Sequence, residues 1–258
     1  MTLPARLTMR LAGACLVLSA LCPALSAQPV KPEEARALVA QLVTALNARD
    51  IDALRKLVSD QNFLDDMQQD FQREMAEVRI AISVRETAVT PEGMLAACPS
   101  TWTAVRKGRE RSESSSLRLT IVRDDNGLRI AKVESDENIR MRQAGLLGRR
   151  LGQACAQKDL AELAQVLNLN ETETAALRAG DAVAAAKLRV DWLLDPLAGR
   201  AILTCDSASR NGPDAVAHCD IKAVQTATRK DLTVKLRPGE LGKESYYLDF
   251  DRPAEEKP

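Results

Sequence analysis

The sequence predicts an α+β fold in two tandem domains. A stretch with the pattern basic-Asp-aliphatic-x-x-Leu occurs twice, at residues 49–54 and 158–163. Each copy follows apolar residues at helical spacing and precedes segments of alternating polar and apolar residues, which are typical of strands. The copies lie roughly 100 residues apart, about the size of one small domain. Helices followed by an antiparallel sheet, repeated once, account for both features. We therefore expect domains at residues 28–136 and 137–251.

Residues 1–27 have the three-part pattern of a secretory signal peptide. Arg6 and Arg10 supply positive charge, residues 11–25 form an apolar run, and residues 24–27 offer small side chains for cleavage. The run is interrupted by Pro23 and is shorter than the ~20 apolar residues that span a bilayer. We expect cleavage, with no transmembrane segment afterwards, and an exported chain that is periplasmic or secreted. The alternatives are a retained anchor or a lipid on Cys15 or Cys22.

The composition is that of a globular protein without a global electrostatic field. Of the 258 residues, 45% are hydrophobic and 28% are charged, and 36 basic residues balance 36 acidic ones. This balance gives no attraction to nucleic acid, so nucleic acid is not an expected partner. Aromatic residues make up only 3% of the chain, which argues against a base-stacking platform or an aromatic sugar-binding cleft.

The first domain is predicted to begin with three helices. Pro32 opens the first helix, and Asp50 is placed to act as the N-cap of the second. The third helix carries an apolar stripe that we expect to pack on the sheet. The stripe consists of Phe63, Met67, Phe71, Met75 and Val78.

Strands are predicted to follow the helices of the first domain. Residues 79–84 and 94–106 have extended patterns, and residues 117–133 form a hairpin about an Asn-Gly dipeptide. The polar segment 107–116 is expected to be a mobile connection or a strand end.

The second domain is predicted to repeat this order. We expect a helix over residues 139–157, an N-cap at Asp159, and a capping box formed by Asn170 and Glu173 at the start of a helix over 174–188. The predicted strands are 190–194, 198–206, 214–224, 232–236 and 245–250. The tail at 252–258 is expected to be disordered.

Export would place the four cysteines beyond the signal peptide in an oxidising compartment. Cys205 and Cys219 flank a turn at 210–214 and point to the same side of their strands, so we favour a disulfide between them. Cys98 and Cys155 would then join the two domains, or they would remain free, buried thiols.

The order of helices and strands resembles the nuclear transport factor 2-like superfamily, which includes ketosteroid isomerase and polyketide cyclase. The likeness is carried by the helix junction within residues 45–58 and the hairpin at 117–133. It implies a cone-shaped half-barrel over residues 33–135 and, more loosely, over 138–250. The second copy departs from it in lacking the Gly-aromatic final hairpin and in carrying the cysteine-bearing one. A cystatin-like fold is the alternative.

The resemblance implies an apolar cavity between sheet and helices, in which the enzymes of the superfamily place an acid-base Asp or His. The weak catalytic candidates here are His218 with Asp220, and Tyr247 with Asp249, which share a strand face. A lone His on a polar face and a Tyr at a sheet edge are more often structural. No cofactor is expected, and one His without a second imidazole or a Cys-x-x-Cys gives no metal ligand set.

These patterns favour an exported, non-enzymatic binding or scaffolding protein of the cell envelope. Its expected partner is an unknown protein or a small apolar ligand. The alternative is a small-molecule isomerase or lyase that uses a pocket in the second domain.

Overall fold

The computed structural model describes residues 29–72, 77–106, 109–211, 214–237 and 239–251, with the backbone alone at 77, 106 and 109. The predictions for the signal peptide, for Met75, for the centre of the 210–214 turn and for the 252–258 tail fall outside these residues.

The first unit consists of three helices and a sheet, called sheet A. The helices are α1 (Pro32–Ala48), α2 (Ile51–Leu57) and α3 (Gln61–Gln72). The strands are β1 (Glu77–Ile82), β2 (Glu86–Thr90), β3 (Gly93–Arg106), β4 (Arg109–Asp124) and β5 (Gly127–Ser135). Sheet A is antiparallel in the order β1-β3-β4-β5, and β2 pairs with β3 beyond the end of β1. It curls into a half-barrel against which the helices pack.

The core of the first unit lies between α1 and sheet A. Leu38, Leu42 and Leu46 recur at four-residue steps along α1, so they share one face of the helix, and all three are buried. They belong to one apolar cluster with Leu119 and Ile121, which alternate with polar residues along β4. The apolar faces of the helix and the strand that the sequence periodicity predicts therefore pack against each other in this core.

The second unit has more helices and a simpler sheet, called sheet B. The helices are α4 (Asp136–Gln157), α5 (Leu160–Leu167), α6 (Glu171–Ala179), α7 (Ala182–Lys187) and α8 (Leu194–Ala198), with a short 3₁₀ turn at Asp191–Leu193. The strands are β6 (Ala201–Asn211), β7 (Asp214–Ala223), β8 (Ala227–Arg237) and β9 (Ser245–Asp249). They form an antiparallel meander in chain order. The predicted α+β class, with helices before a sheet in each half, is confirmed. The domain boundary at 136/137 stays a prediction.

The duplicated stretch is the junction between two helices in each unit. Arg49 and Lys158 adopt the left-handed conformation, with φ of 53° and 57°, and end α1 and α4. Asp50 accepts a hydrogen bond from the Ala53 amide at 2.9 Å, and Asp159 caps α5 in the same way. Both aspartates thus satisfy amide groups that a helix start leaves unpaired.

Two predictions for the second unit are wrong. The single helix over 174–188 is two helices, because Gly180 adopts a φ of 66° and ends α6, after which Asp181 caps α7. The predicted strand at 190–194 is the 3₁₀ turn followed by α8. Its apolar residues are buried against the core of the unit, and a short apolar run of this kind does not distinguish a buried strand from a buried helical turn.

The polar segment 107–116 was also predicted imperfectly. From Arg109 onward it belongs to β4 and pairs along its length with β3. Cross-strand hydroxyl pairs join the two strands, with Ser100 and Ser115 oxygens 2.8 Å apart and Thr103 and Ser112 oxygens 2.9 Å apart. Paired Ser and Thr side chains stabilise an antiparallel ladder even where the segment is too polar to resemble a strand.

Arg118 of β4 makes polar contacts with three residues of the second unit. Its Nε donates to Asp136 at the start of α4 at 3.0 Å, and its Nη1 lies 3.1 Å from a carboxylate oxygen of Glu244 in the loop before β9. A third donor, Nη2, reaches the Tyr246 hydroxyl at 3.3 Å.

Within the described ranges, no helix is long and apolar enough to cross a membrane.

Candidate functional site

A cavity opens between the helices and one end of sheet A. Its volume is about 350 Å³, within the ~300–1,000 Å³ range usual for small-molecule sites. The apolar wall is formed by Leu46, Met67, Phe71, Val78, Ile80, Trp102 and Ala104. The stripe predicted for the third helix thus contributes Met67, Phe71 and Val78 to the wall.

Strand pairing explains why the wall is apolar. Ile80 of β1 lies opposite Trp102 of β3, and Val78 lies opposite Ala104, so these side chains share one face of the sheet. The next inward-facing residue along β3, Ser100, is buried, and its hydroxyl pairs with that of Ser115. The hydroxyl of Ser100 therefore has a hydrogen-bond partner, and it leaves no unsatisfied polar group beside the apolar wall.

Charged groups gather at the mouth of the cavity. Arg49, Asp70, Arg111 and Glu113 complete the lining. Arg111 and Glu113 form an ion pair of 3.0 Å whose side chains are 83% and 71% exposed. An apolar interior with ionic groups at its opening suits a ligand that has an apolar body and a polar or charged end.

The four catalytic candidates from the sequence lie elsewhere, on the outer face of sheet B, which is the side opposite α4. His218 and Asp220 alternate along β7 with Cys219, whose side chain is in the core. Tyr247 and Asp249 alternate along β9 with the buried Leu248. These side chains therefore face away from the space between helices and sheet.

The strand registers give the predicted aspartates other neighbours across the sheet. Asp220 lies opposite Arg229 of β8, and Asp249 lies opposite Thr233. The Tyr247 ring lies 5.3 Å from the Arg237 guanidinium carbon, a cation–π distance. Tyr247 thus packs on a neighbouring side chain, as the structural interpretation expects.

His218 has two partners that the sequence analysis did not identify. Its Nδ1 lies 2.7 Å from Oδ1 of Asp231, and its Nε2 lies 2.7 Å from Oγ of Ser209. Asp231 was missed because the predicted strand began at residue 232, whereas β8 begins at Ala227. A strand predicted from residue 227 onward would have placed Asp231 opposite His218.

The predicted Cys205–Cys219 disulfide is confirmed, with a Cα–Cα distance of 4.1 Å. The proposed bond between Cys98 and Cys155 is not formed. Both are free and buried, Cys98 in the first core and Cys155 in the second. Since each thiol faces the interior of its own unit, the alternative of two free thiols is the one observed.

We searched the described part of the chain for side chains that could bind a metal ion together. No group of three or more His, Cys, Asp or Glu side chains lies close enough there to hold a metal ion. His218, the only histidine, is already engaged by Ser209 and Asp231.

No protein-family model and no curated protein matches the chain. Solved structures do. A nuclear transport factor 2-like superfamily protein from Salmonella enterica is 11% identical, covering 40% of this chain and 88% of that one, with a TM-score of 0.36. Aln2 from a Streptomyces species is 16% identical, covering 43% of this chain and 97% of that one, with a TM-score of 0.35.

A third similar structure spans more of the chain. It is an Ntf2-like protein involved in plasmid conjugation, 8% identical, covering 84% of this chain and 96% of that one, with a TM-score of 0.25. Two of the three descriptions name the superfamily that the sequence resembles. These likenesses assign neither a family, a ligand nor a reaction to this chain.

Proposed function

We propose that this protein is an exported binding protein whose first unit holds a small, largely apolar ligand in the sheet A cavity. The observation that carries the proposal is the contrast between the apolar wall, which includes Trp102 and Phe71, and the charged mouth. A ligand with an apolar chain and a polar or charged end would bury the chain against the wall. Its polar end would remain near the charged residues of the mouth.

Binding is favoured over catalysis because of where the ionisable groups lie. Of the four ionisable side chains that line the cavity, Arg49, Arg111 and Glu113 are exposed and Asp70 is half-buried. A general acid or base works within hydrogen-bond reach of the reacting atoms and gains from a water-excluded setting. The wall itself carries no such group among its described residues.

Export is supported by the signal-like pattern of residues 1–27 and by the Cys205–Cys219 disulfide. Disulfides persist mainly in oxidising compartments such as the periplasm and the cell exterior. Both features are expected of a cell-envelope protein.

The isomerase or lyase alternative has less support. It needs His218, Asp220, Tyr247 or Asp249 to line a pocket in the second unit, and all four lie on the outer face of sheet B. We therefore do not propose it.

Tryptophan fluorescence tests the binding proposal. Trp102 lines the cavity, whereas Trp192 packs in the second core with its ring 6.2 Å from that of Phe250. In a Trp192→Phe variant, titration with dodecanoate should change the Trp102 emission saturably, because the aliphatic chain displaces water from the indole. Unchanged emission at all concentrations would contradict the proposal.

A matched pair of variants locates the site. In the Trp192→Phe background, Ala104→Leu fills the wall and should weaken dodecanoate binding about tenfold or more, through lost chain burial of ~0.8 kcal/mol per CH₂. Ala48→Leu adds the same volume in a separate groove between α1 and α2 and should leave the affinity unchanged. Weakening by Ala48→Leu alone would move the site to that groove.

A further inference from the structure

Three side chains form one continuous hydrogen-bonded chain on the outer face of sheet B. Ser209 Oγ lies 2.7 Å from His218 Nε2, and His218 Nδ1 lies 2.7 Å from Asp231 Oδ1. Arg229 Nε donates to the same carboxylate oxygen at 3.2 Å. Neither the cavity of the first unit nor the proposed binding function involves these residues.

Asp231 determines which nitrogen of His218 carries the proton. An ionised carboxylate only accepts hydrogen bonds, so Nδ1 of His218 must carry the proton that joins them. The His218 hydrogen bond and Arg229 lower the pKa of Asp231, which keeps it ionised. In the neutral imidazole, Nε2 then has a free lone pair and accepts the hydroxyl proton of Ser209. This is the orientation that general-base activation of a hydroxyl requires.

An irregularity in β6 brings Ser209 to this face. The register between β6 and β7 shifts between Thr204 and Ser207. Leu203 before the shift and Cys205 within it point into the core, whereas after it Ala208 packs inward and Ser209 points outward. Without the extra residue, strict alternation from Cys205 would have turned Ser209 toward α4. The Cys205–Cys219 disulfide ties the strands together at the shift.

The hydroxyl of Ser209 is more accessible to solvent than the imidazole of His218, as expected for a nucleophile and its general base. Ser209 is exposed, whereas the His218 side chain is only 15% exposed. His218 lies on β7, which is paired with β6 on one side and β8 on the other, so strands on both sides restrict its ring. A reactant can therefore reach the hydroxyl while the imidazole stays oriented.

We propose that Ser209 is a nucleophile that accepts the acyl group of a carboxylic ester, with His218 as its general base and Asp231 as a positioning residue. Ser209 Oγ bonds to the ester carbonyl carbon while its proton passes to Nε2. The carbon–oxygen bond to the alcohol then breaks, and the alcohol leaves with the proton from Nε2. Water, deprotonated by the same nitrogen, attacks the acyl-serine, releasing the carboxylic acid and restoring Ser209.

The test uses the full chain and p-nitrophenyl acetate. Release of p-nitrophenolate is followed by absorbance, and the acetylated residue is located by peptide mass spectrometry. The wild type should release p-nitrophenolate and, in samples quenched with acid during the reaction, carry one acetyl group at Ser209. Ser209→Ala should abolish this labelling, and His218→Gln should slow it about 100-fold or more, since general-base assistance contributes ~10²- to 10⁴-fold.

Ser207→Ala is the matched control. Ser207 is an exposed serine on the same strand and is the register partner of His218. Its removal should leave labelling of Ser209 unchanged. Acetyl groups found on Ser207 or on lysines with Ser209 unmodified, or labelling of Ser209 in His218→Gln at the wild-type rate, would overturn the proposal.

Asp231 is tested through the tautomer it selects. Asp231→Asn should slow labelling at least about tenfold, because an amide can also donate to Nδ1 and so allow the proton to reside on Nε2. Asp231→Glu should restore part of the rate, which a loss of folding alone would not produce. Equal rates in the Asn variant and the wild type would remove Asp231 from the scheme. Ser209→Ala removes only an exposed hydroxyl, so its result stands even if the His218 and Asp231 variants lose stability.

Discussion

The two free thiols show how burial alone sets the chemistry of single residues. Loss of hydration disfavours the charged thiolate, which raises the pKa of Cys98 to about 11 and that of Cys155 to about 12. The thiolate is the reactive form of cysteine. Both residues should therefore behave as small apolar side chains in the folded protein, even in the oxidising compartment that the proposed export implies.

We expect neither thiol to be alkylated by iodoacetamide in the native protein at pH 8. At that pH, a thiol with a pKa of about 11 is ionised in on the order of one molecule in a thousand. Peptide mass spectrometry should show no adduct at Cys98 or Cys155 before guanidinium treatment and an adduct at each of them afterwards. Rapid modification of the native protein would mean that one of the cores opens easily.

At the scale of elements, α4 approaches sheet B at a glycine. A Cβ atom added at Gly148 would lie 2.9 Å from both Cβ and the carbonyl oxygen of Cys205. Real Cβ atoms essentially never lie this close to other atoms, so the helix or the strand would have to move. Gly148 thus allows the close contact between the helix and the disulfide-bonded pair of strands.

We predict that Gly148→Ala lowers the free energy of unfolding by about 1–3 kcal/mol through overpacking. Gly145→Ala, three residues earlier in the same helix, meets only the flexible end of Arg149 at 3.6 Å. It should instead raise stability by about 0.5–1 kcal/mol, because alanine favours the helix more than glycine does. Urea unfolding of both variants measures the difference. Changes of the same sign would show that the sheet does not press on Gly148.

At the scale of the whole molecule, Arg118 couples two units that have separate cores. Its side chain is 15% exposed and that of its partner Glu244 is 11% exposed. Removing the guanidinium would leave the Glu244 carboxylate poorly solvated and without this ion-pair partner, which costs more than losing an exposed ion pair. Arg118 therefore makes a stabilising contact between the units.

We expect Arg118→Ala to lower the free energy of unfolding by about 2 kcal/mol, less than for a fully buried pair because the cluster keeps some contact with solvent. Arg200→Ala is the control, since Arg200 and its partner Asp195 are 68% and 58% exposed. It should change stability by less than about 0.5 kcal/mol. Denaturant titrations followed by tryptophan emission provide the measurement. Equal effects of the two substitutions would show that Arg118 contributes no more than a surface ion pair.

Local signals were sufficient to predict much of the fold. The caps at Asp50 and Asp159, the hairpin around residue 126 and the Cys205–Cys219 pair all follow from residue type and spacing within a short segment. Such features depend on backbone hydrogen bonds and strand alternation, which nearby residues determine. The short apolar run after residue 190 was misassigned because helix and strand patterns coincide over so few residues.

The sequence alone determined the α+β class, the duplicated helix junction and the local disulfide, because each is encoded by periodicity or by residues close together in the chain. Only the tertiary structure decided which side chains meet across distant elements. Trp102 joins residues from α1, α3 and β1 in the cavity, and Arg118 joins the units. The partners of His218 depended on a shift in β6 and on the starting residue of β8. A one-residue change in register turns a side chain to the opposite face of a sheet. Residue spacing in the sequence does not give that register, so it could not predict these contacts.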